Sequence, residues 1–195
     1  FLAAITDDPT TAPDEPDAKV PARASWSDAE LYGLWAEGEL VTEAQREWAA
    51  RGPENLLWPW GNDWDPDQCN SGDYWAGRPL NDLETHKAWF DGFANPGTNA
   101  MTGEVGSQPG NTSWCGACDL AGKLWEWCRD WYAHDYYAIS PAEDPEGLDE
   151  GEQRVRRGGG WSSLAHNTLS CYRSGSEPGA VTCGFRLVIV PGLEP

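Results

Sequence analysis

Polar capping residues followed by apolar positions at helical spacing occur twice in the first quarter of the chain. Ser27-Asp28-Ala29-Glu30 reads as a capping box: Ser27 takes a first-turn N–H and Glu30 reaches back. Leu31, Leu34 and Trp35 follow at helical spacing as an amphipathic stripe, and Gly38 ends the segment. Thr42-Glu43-Ala44-Gln45 is a second box, followed by Ala44, Glu47, Trp48 and Arg51 and stopped by Gly52-Pro53. From Asn55 to Ser113 the periodicity fades into Trp, Asp, Asn, Gly and Pro, which predicts long irregular structure. Strands are expected at Lys123 to Cys128, Arg154 to Gly158 and Phe185 to Val190. Trp125, Trp127 and Asp130 cannot share one face, so a bulge or strand end is expected near Cys128. Gly122 is placed to take positive φ, and Gly158-Gly159-Gly160 to let backbone approach backbone.

Composition sharpens this picture. A chain of 195 residues is read as one domain, and 13 Trp mean that aromatics must fill much of its core. With 22 Gly and 15 Pro, the expected fold is loop-rich with short strands. The expected division is 1–23, the end of a helix and an acidic Pro-rich loop, and 24–192, the domain proper. A formal charge of −19 argues against nucleic-acid partners. No apolar run is long enough for a membrane span. Six cysteines, at 69, 115, 118, 128, 171 and 183, suggest an oxidising compartment and up to three disulfides, or free buried thiols. Zinc at Cys115, Cys118 and Cys128 is the weaker reading, for want of a second CxxC.

Two stretches carry candidate chemistry. Asp63, Asp65, Asp67, Asn70 and Asp73 put hard oxygens in one loop, the type of ligand calcium takes, and a structural calcium ion is expected there. The loop is not an EF-hand, because Gln68 stands where the sharp-turn glycine belongs. His134, near Asp130 and Asp135, is the nearest approach to an iron-type cluster and reads as a surface histidine. Asn111-Thr112-Ser113 is a glycosylation sequon by pattern alone.

Several phrases, in order, are similar to those of a known family. Ala24-Ser25-Trp26-Ser27-Asp28-Ala29 comes first, then Leu40 to Gly52, then Trp58-Pro59-Trp60-Gly61-Asn62. Gly122-Lys123-Leu124-Trp125-Glu126-Trp127, Arg154 to Trp161 and Gly184-Phe185-Arg186 complete the set. Together they resemble the formylglycine-generating enzymes, or sulfatase-modifying-factor domains. The resemblance implies an α+β, C-type-lectin-like fold with two helices, few short antiparallel strands and much loop. It also implies two copper-binding cysteines two and seven residues past Trp161, where this chain has Ser163 and Thr168. Soft copper(I) prefers thiolate to hydroxyl, so neither copper nor formylglycine formation is expected.

The resemblance further implies a ligand-facing segment from Trp161 to Cys183, with Trp161, Ser163, His166, Thr168, Tyr172, Arg173 and Glu177 as candidate contacts. It implies calcium near Asn70, and a second calcium at an asparagine that is Lys123 here, whose ammonium can stand in the ion's place beside a carboxylate such as Glu126. Arg186 is expected to be structural and paired with a carboxylate. The expected role is an extracytoplasmic binding or structural module within a larger assembly. A further polypeptide, either a cleaved N-terminal piece or a partner subunit, is expected to cover the side near Phe1 to Ile5. The alternatives are a metal-dependent oxidase using another site, and a variable ligand-binding protein of the retroelement type.

Overall fold

The computed structural model describes residues 21–93 and 101–189. The expectations for Phe1 to Ile5 and for the acidic loop up to residue 20 lie outside them. The elements are α1 (Trp26–Trp35), β1 (Glu39–Leu40), α2 (Glu43–Arg51), α3 (Gly72–Ala76), α4 (Leu83–Gly92), β2 (Glu126–Trp131), β3 (Arg154–Arg157), β4 (Ser174–Ser176), β5 (Gly184–Phe185) and β6 (Leu187–Val188). One sheet runs β4-β3-β2-β5 and a second pairs β1 with β6. Every pairing is antiparallel except β2 with β5. The fold is therefore α+β and loop-rich, with one parallel pairing that the expectation did not include.

Local chemistry explains most boundaries. Thr42 and Gln45 form the expected reciprocal capping box of α2. Helix α1 is capped by Ser25 rather than Ser27, its side chain accepting from the Asp28 N–H. The apolar stripe of α1 is also reversed. Leu31, Leu34 and Trp35 are 63%, 70% and 76% exposed, while Trp26, Ala29 and Gly33 face inward. Gly33 wins a buried place because the Gly38 carbonyl and the Leu187 side chain leave no room for a larger residue. The stretch from 55 to 113 is less irregular than its composition suggests. It holds α3 and α4, and Asp82 with Thr85 makes a capping box for α4.

The main core joins α1 to the central strand: Ala24, Trp26, Ala29, Leu40, Trp127, Cys183 and Phe185. Its tryptophans keep their N–H groups satisfied. Trp26 Nε1 donates to the Cys128 carbonyl at 2.8 Å and Trp127 Nε1 to the Ala24 carbonyl at 3.0 Å. The β2–β3 register shifts between Trp127 and Trp131, the irregularity expected near Cys128. Gly122, Gly158 and Gly159 all take positive φ.

Beside this core lies a buried ionic frame. Glu126 Oε2 accepts from Arg46 Nε at 3.0 Å and Arg186 Nε at 3.0 Å, and its Oε1 accepts from Arg186 Nη2 at 2.6 Å. Arg186 thus has the structural role expected of it. Glu43 pairs with Arg173 at 2.7 Å and Arg157 at 3.3 Å, and Arg157 also pairs with Glu47. Helix α2 therefore buries Glu43 and Arg46 and leaves Trp48 half exposed.

All six cysteines are free in this structure, so it contains no disulfide. Asn111 is fully buried and its amide donates to the Ala121 carbonyl, which is incompatible with a glycan on the folded chain. Among the described residues no helix is long and apolar enough to cross a membrane.

Candidate functional site

Strand β3 delivers the chain into Gly158-Gly159-Gly160 and then into the segment from Trp161 to Thr168. A Cβ on Gly159 would sit 2.8 Å from Thr168 Cγ2, so glycine is what lets the segment fold back on itself. Trp161 N donates to the Lys123 carbonyl at 2.9 Å. Its ring is covered by α4: Phe90 stacks on it at 6.0 Å, and Phe93 follows at 6.4 Å. From the same helix His86 Nε2 donates to the Ser162 carbonyl at 2.6 Å. Helix α4 has no buried residue of its own and is held over this segment by these contacts.

The two hydroxyls at the implied copper positions are already engaged. Ser163 Oγ accepts from Gly160 N at 2.9 Å. Thr168 is fully buried; its Oγ1 donates to the Ala165 carbonyl at 2.7 Å and accepts from Trp58 Nε1 at 3.2 Å. Cys69 lies against Thr168, and burial pushes its thiol up to about 12. It is a buried, neutral thiol at physiological pH. Positions 163 and 168 thus offer two engaged hydroxyls and no thiolate pair, the donor set that soft copper(I) prefers.

The calcium loop does not gather either. The Asp73 carboxylate accepts from Trp64 Nε1 at 3.0 Å and Leu80 N at 3.0 Å. The Asn70 amide donates to the Met101 and Thr102 carbonyls and accepts from Trp75 Nε1. Asp65 caps its own turn by accepting from Asp67 N, while Asp63 and Asp67 are exposed. Among the described residues no three His, Cys, Asp or Glu side chains converge on a point a metal could occupy. Asp63, Asp65, Asp67, Asn70 and Asp73 therefore do not fit a calcium cage, because indole and backbone N–H groups have taken the key oxygens.

At the second implied calcium position the Lys123 ammonium is buried. It donates to the Glu104 carbonyl and to Ser107 Oγ at 2.8 Å, and lies 3.5 Å from Asp119. Its carboxylate partner is Asp119, not Glu126, whose oxygens are claimed by Arg46 and Arg186.

The expected ligand-facing set divides. Tyr172 packs between Trp125 at 6.1 Å and His166 at 5.9 Å, and His166 is exposed. Glu177 is exposed beyond β4. Arg173 is committed internally: it binds Glu43 with Nε and Nη2, donates to the Ala133 and His134 carbonyls, and lies over the Tyr132 and Tyr137 rings. Trp161 and Thr168 are buried, so Ser163, His166, Tyr172 and Glu177 are the candidates left at least partly accessible.

Two features escaped the sequence reading. Asp130 is buried with one oxygen accepting from Glu43 N at 2.7 Å and the other without a hydrogen-bond partner. Burial raises its carboxyl to about 6, against the lowering effect of that hydrogen bond. The other is a cleft walled by Trp60 and Trp114. Among thirteen tryptophans nothing in the spacing marks those two as surface residues.

A loop-rich α+β domain, framed by buried ion pairs and carrying a glycine-turned Trp161–Thr168 segment, is the class these features define. The chain belongs to the sulfatase-modifying factor enzyme 1-like domain family, whose model matches residues 6–190. A formylglycine-generating enzyme of Thermomonospora curvata is 34% identical over 92% of this chain, which spans 61% of that relative's length. Among solved structures, PvdO from Pseudomonas aeruginosa superposes with a TM-score of 0.59 at 19% identity, covering 85% of this chain and 59% of that one. Treponema denticola variable protein 1 superposes at 0.55 and 22% identity, covering 96% and 77%. At these identities the two structures speak for the fold alone.

Proposed function

We propose that this member of the family is a binding or structural module and not a formylglycine-generating oxidase. The observation that carries the reading is the state of positions 163 and 168. Both hold hydroxyls, both hydroxyls are engaged in internal hydrogen bonds, and Thr168 has no access to solvent. The half-open surface of Ser163, His166, Tyr172 and Glu177 is left for binding. The module works outside the cytoplasm as part of a larger assembly. Leu31, Leu34 and Trp35, exposed on one face of α1, support a covering polypeptide.

The test is incubation with a cysteine-containing sulfatase-motif peptide, copper and oxygen, followed by mass spectrometry for the aldehyde. No turnover is expected from the natural chain. Turnover at enzymatic rates would overturn the reading. An isolated chain that stays monomeric at high concentration and binds no hydrophobic dye would count against a covered α1 face.

A further inference from the structure

A cleft beside the Trp58–Trp60 stack shares no lining residue with the Trp161–Glu177 segment. It has a volume of about 410 Å³ and is lined by Arg51, Pro53, Glu54, Trp60, Thr112 and Trp114, among others. That volume falls within the range of small-molecule sites, ~300–1,000 Å³. We propose that it is a saccharide-binding subsite that takes a neutral pyranose ring against its tryptophans.

The two indoles are fixed before any ligand arrives. Trp114 Nε1 donates to the Trp48 carbonyl at 2.9 Å, and its ring meets Trp48 edge-on at 5.4 Å. Gly52, at φ +61, lets the backbone pass close to Trp114; a Cβ there would lie 2.5 Å from Trp114 Cδ1. Trp114 is nevertheless 51% exposed. Trp60 Nε1 donates to the Asp63 carbonyl at 3.1 Å, and its ring stacks on Trp58 at 6.1 Å with an 11° interplanar angle. Both rings have spent their N–H groups inward, so what they offer is carbon surface held rigid. Such preorganisation lowers the ordering cost of binding.

The polar groups of the cleft select the ligand. Arg51 supplies N–H donors and is itself paired with Glu47 at 2.7 Å. Among the described residues the exposed Glu54 carboxylate makes no ion pair and is free to accept. Thr112 Oγ1 donates to the Pro109 carbonyl and keeps acceptor capacity. One cation and one anion in the lining favour neither an anion nor a quaternary ammonium, which would need aromatic walls free of the Arg51 charge. A proline-rich peptide would need a row of donors for its successive carbonyls, whereas both indole N–H groups are taken and Arg51 is shared with Glu47. A ring with one apolar C–H face and a rim of hydroxyls meets carbon surface, donor and acceptor together.

The experiment is titration of the protein with cellobiose, maltose and N,N′-diacetylchitobiose. It is read by the indole N–H signals in two-dimensional NMR and by tryptophan fluorescence, with choline and a proline-rich peptide as the competing arms. At least one disaccharide is expected to saturate the Trp60 and Trp114 signals with a Kd of ~1 mM or below. Trp114→Ala is expected to weaken it by about tenfold or more. Glu54→Gln, an exposed and nearly isosteric change, should weaken it without altering the melting point. The proposal is overturned if no disaccharide moves these signals up to ~20 mM, if choline or the peptide binds in their place, or if Glu54→Gln and Trp114→Ala both keep full affinity.

Discussion

Replacing Glu126 by glutamine should cost this fold more than any surface ion pair can. The carboxylate is nearly inaccessible, with a side-chain exposure of 6%, and it holds two guanidinium groups at 2.6–3.0 Å. Burial alone would raise its carboxyl. Arg186 and Arg46 overcome that and hold it below the ordinary glutamate range. Glutamine keeps the shape but removes the charge, and both arginines are left with carbonyl partners only: Leu120 for Arg46 and Cys118 for Arg186. Breaking a buried pair by removing one partner costs ~3–5 kcal/mol, set against a domain's total margin of ~5–15 kcal/mol. With a urea slope of ~2 kcal/mol per molar, the unfolding midpoint should fall by ~2 M. Arg129→Ala is the control, because Arg129 pairs at the surface with Glu39 and Glu146 and should cost under ~1 kcal/mol. The sign of the pH dependence follows from the lowered carboxyl: Glu126's contribution is present above the ordinary glutamate range and is lost as pH falls through its folded value. The reasoning fails if Glu126→Gln moves the midpoint no further than Arg129→Ala.

Other consequences are as direct. The native Asp130 carboxyl, at about 6, binds a proton that an unfolded aspartate has released, so its contribution falls as pH rises from ~4 to ~6, by ~3 kcal/mol. Asp130→Asn should flatten that slope in denaturation curves taken across the window, and an unchanged slope would refute the assignment. Native protein should expose three thiols, Cys115, Cys118 and Cys171, to a thiol reagent and release the buried three only on unfolding. Fewer than six thiols in denaturant would restore the disulfide reading. Gly52→Ala, at φ +61 and against Trp114, should cost ~1–3 kcal/mol and shift the Trp114 indole signal. Chelation should leave the melting point unmoved if the Asp73 and Asn70 oxygens are spent as seen, whereas a calcium-reversible drop would return the metal to that loop.

What the chain discloses without its structure is mostly local. The Thr42 box, the positive-φ glycines and the break in β2 are written in neighbouring residues, because caps and turns are decided within a few positions. The α1 face was misread because Leu31, Leu34 and Trp35 obey helical spacing while the space opposite the helix is set by Gly38 and by Leu187, which comes from the far end of the sequence. The Asp63–Asp73 loop is hard to read from sequence for a related reason. Composition shows that oxygens are present, but not that Trp64 and Trp75 spend their N–H groups on them.

The phrases that announce the family are largely the ones that build the ionic frame. Glu43, Arg46 and Glu47 come from the second capping phrase, Glu126 from Trp125-Glu126-Trp127, Arg157 from the strand before the glycines, and Arg186 from Gly184-Phe185-Arg186. Each is buried or half-buried and bound to another member of the set, so changing one strands the charge of its partner. Positions 163 and 168 sit outside that set. Their hydroxyls bond to backbone groups of their own segment and, for Thr168, to one indole. The frame does not depend on what stands there. The frame and the segment at 163 and 168 are thus separable, which is why the frame identifies the family while the proposal on activity rests on those two side chains.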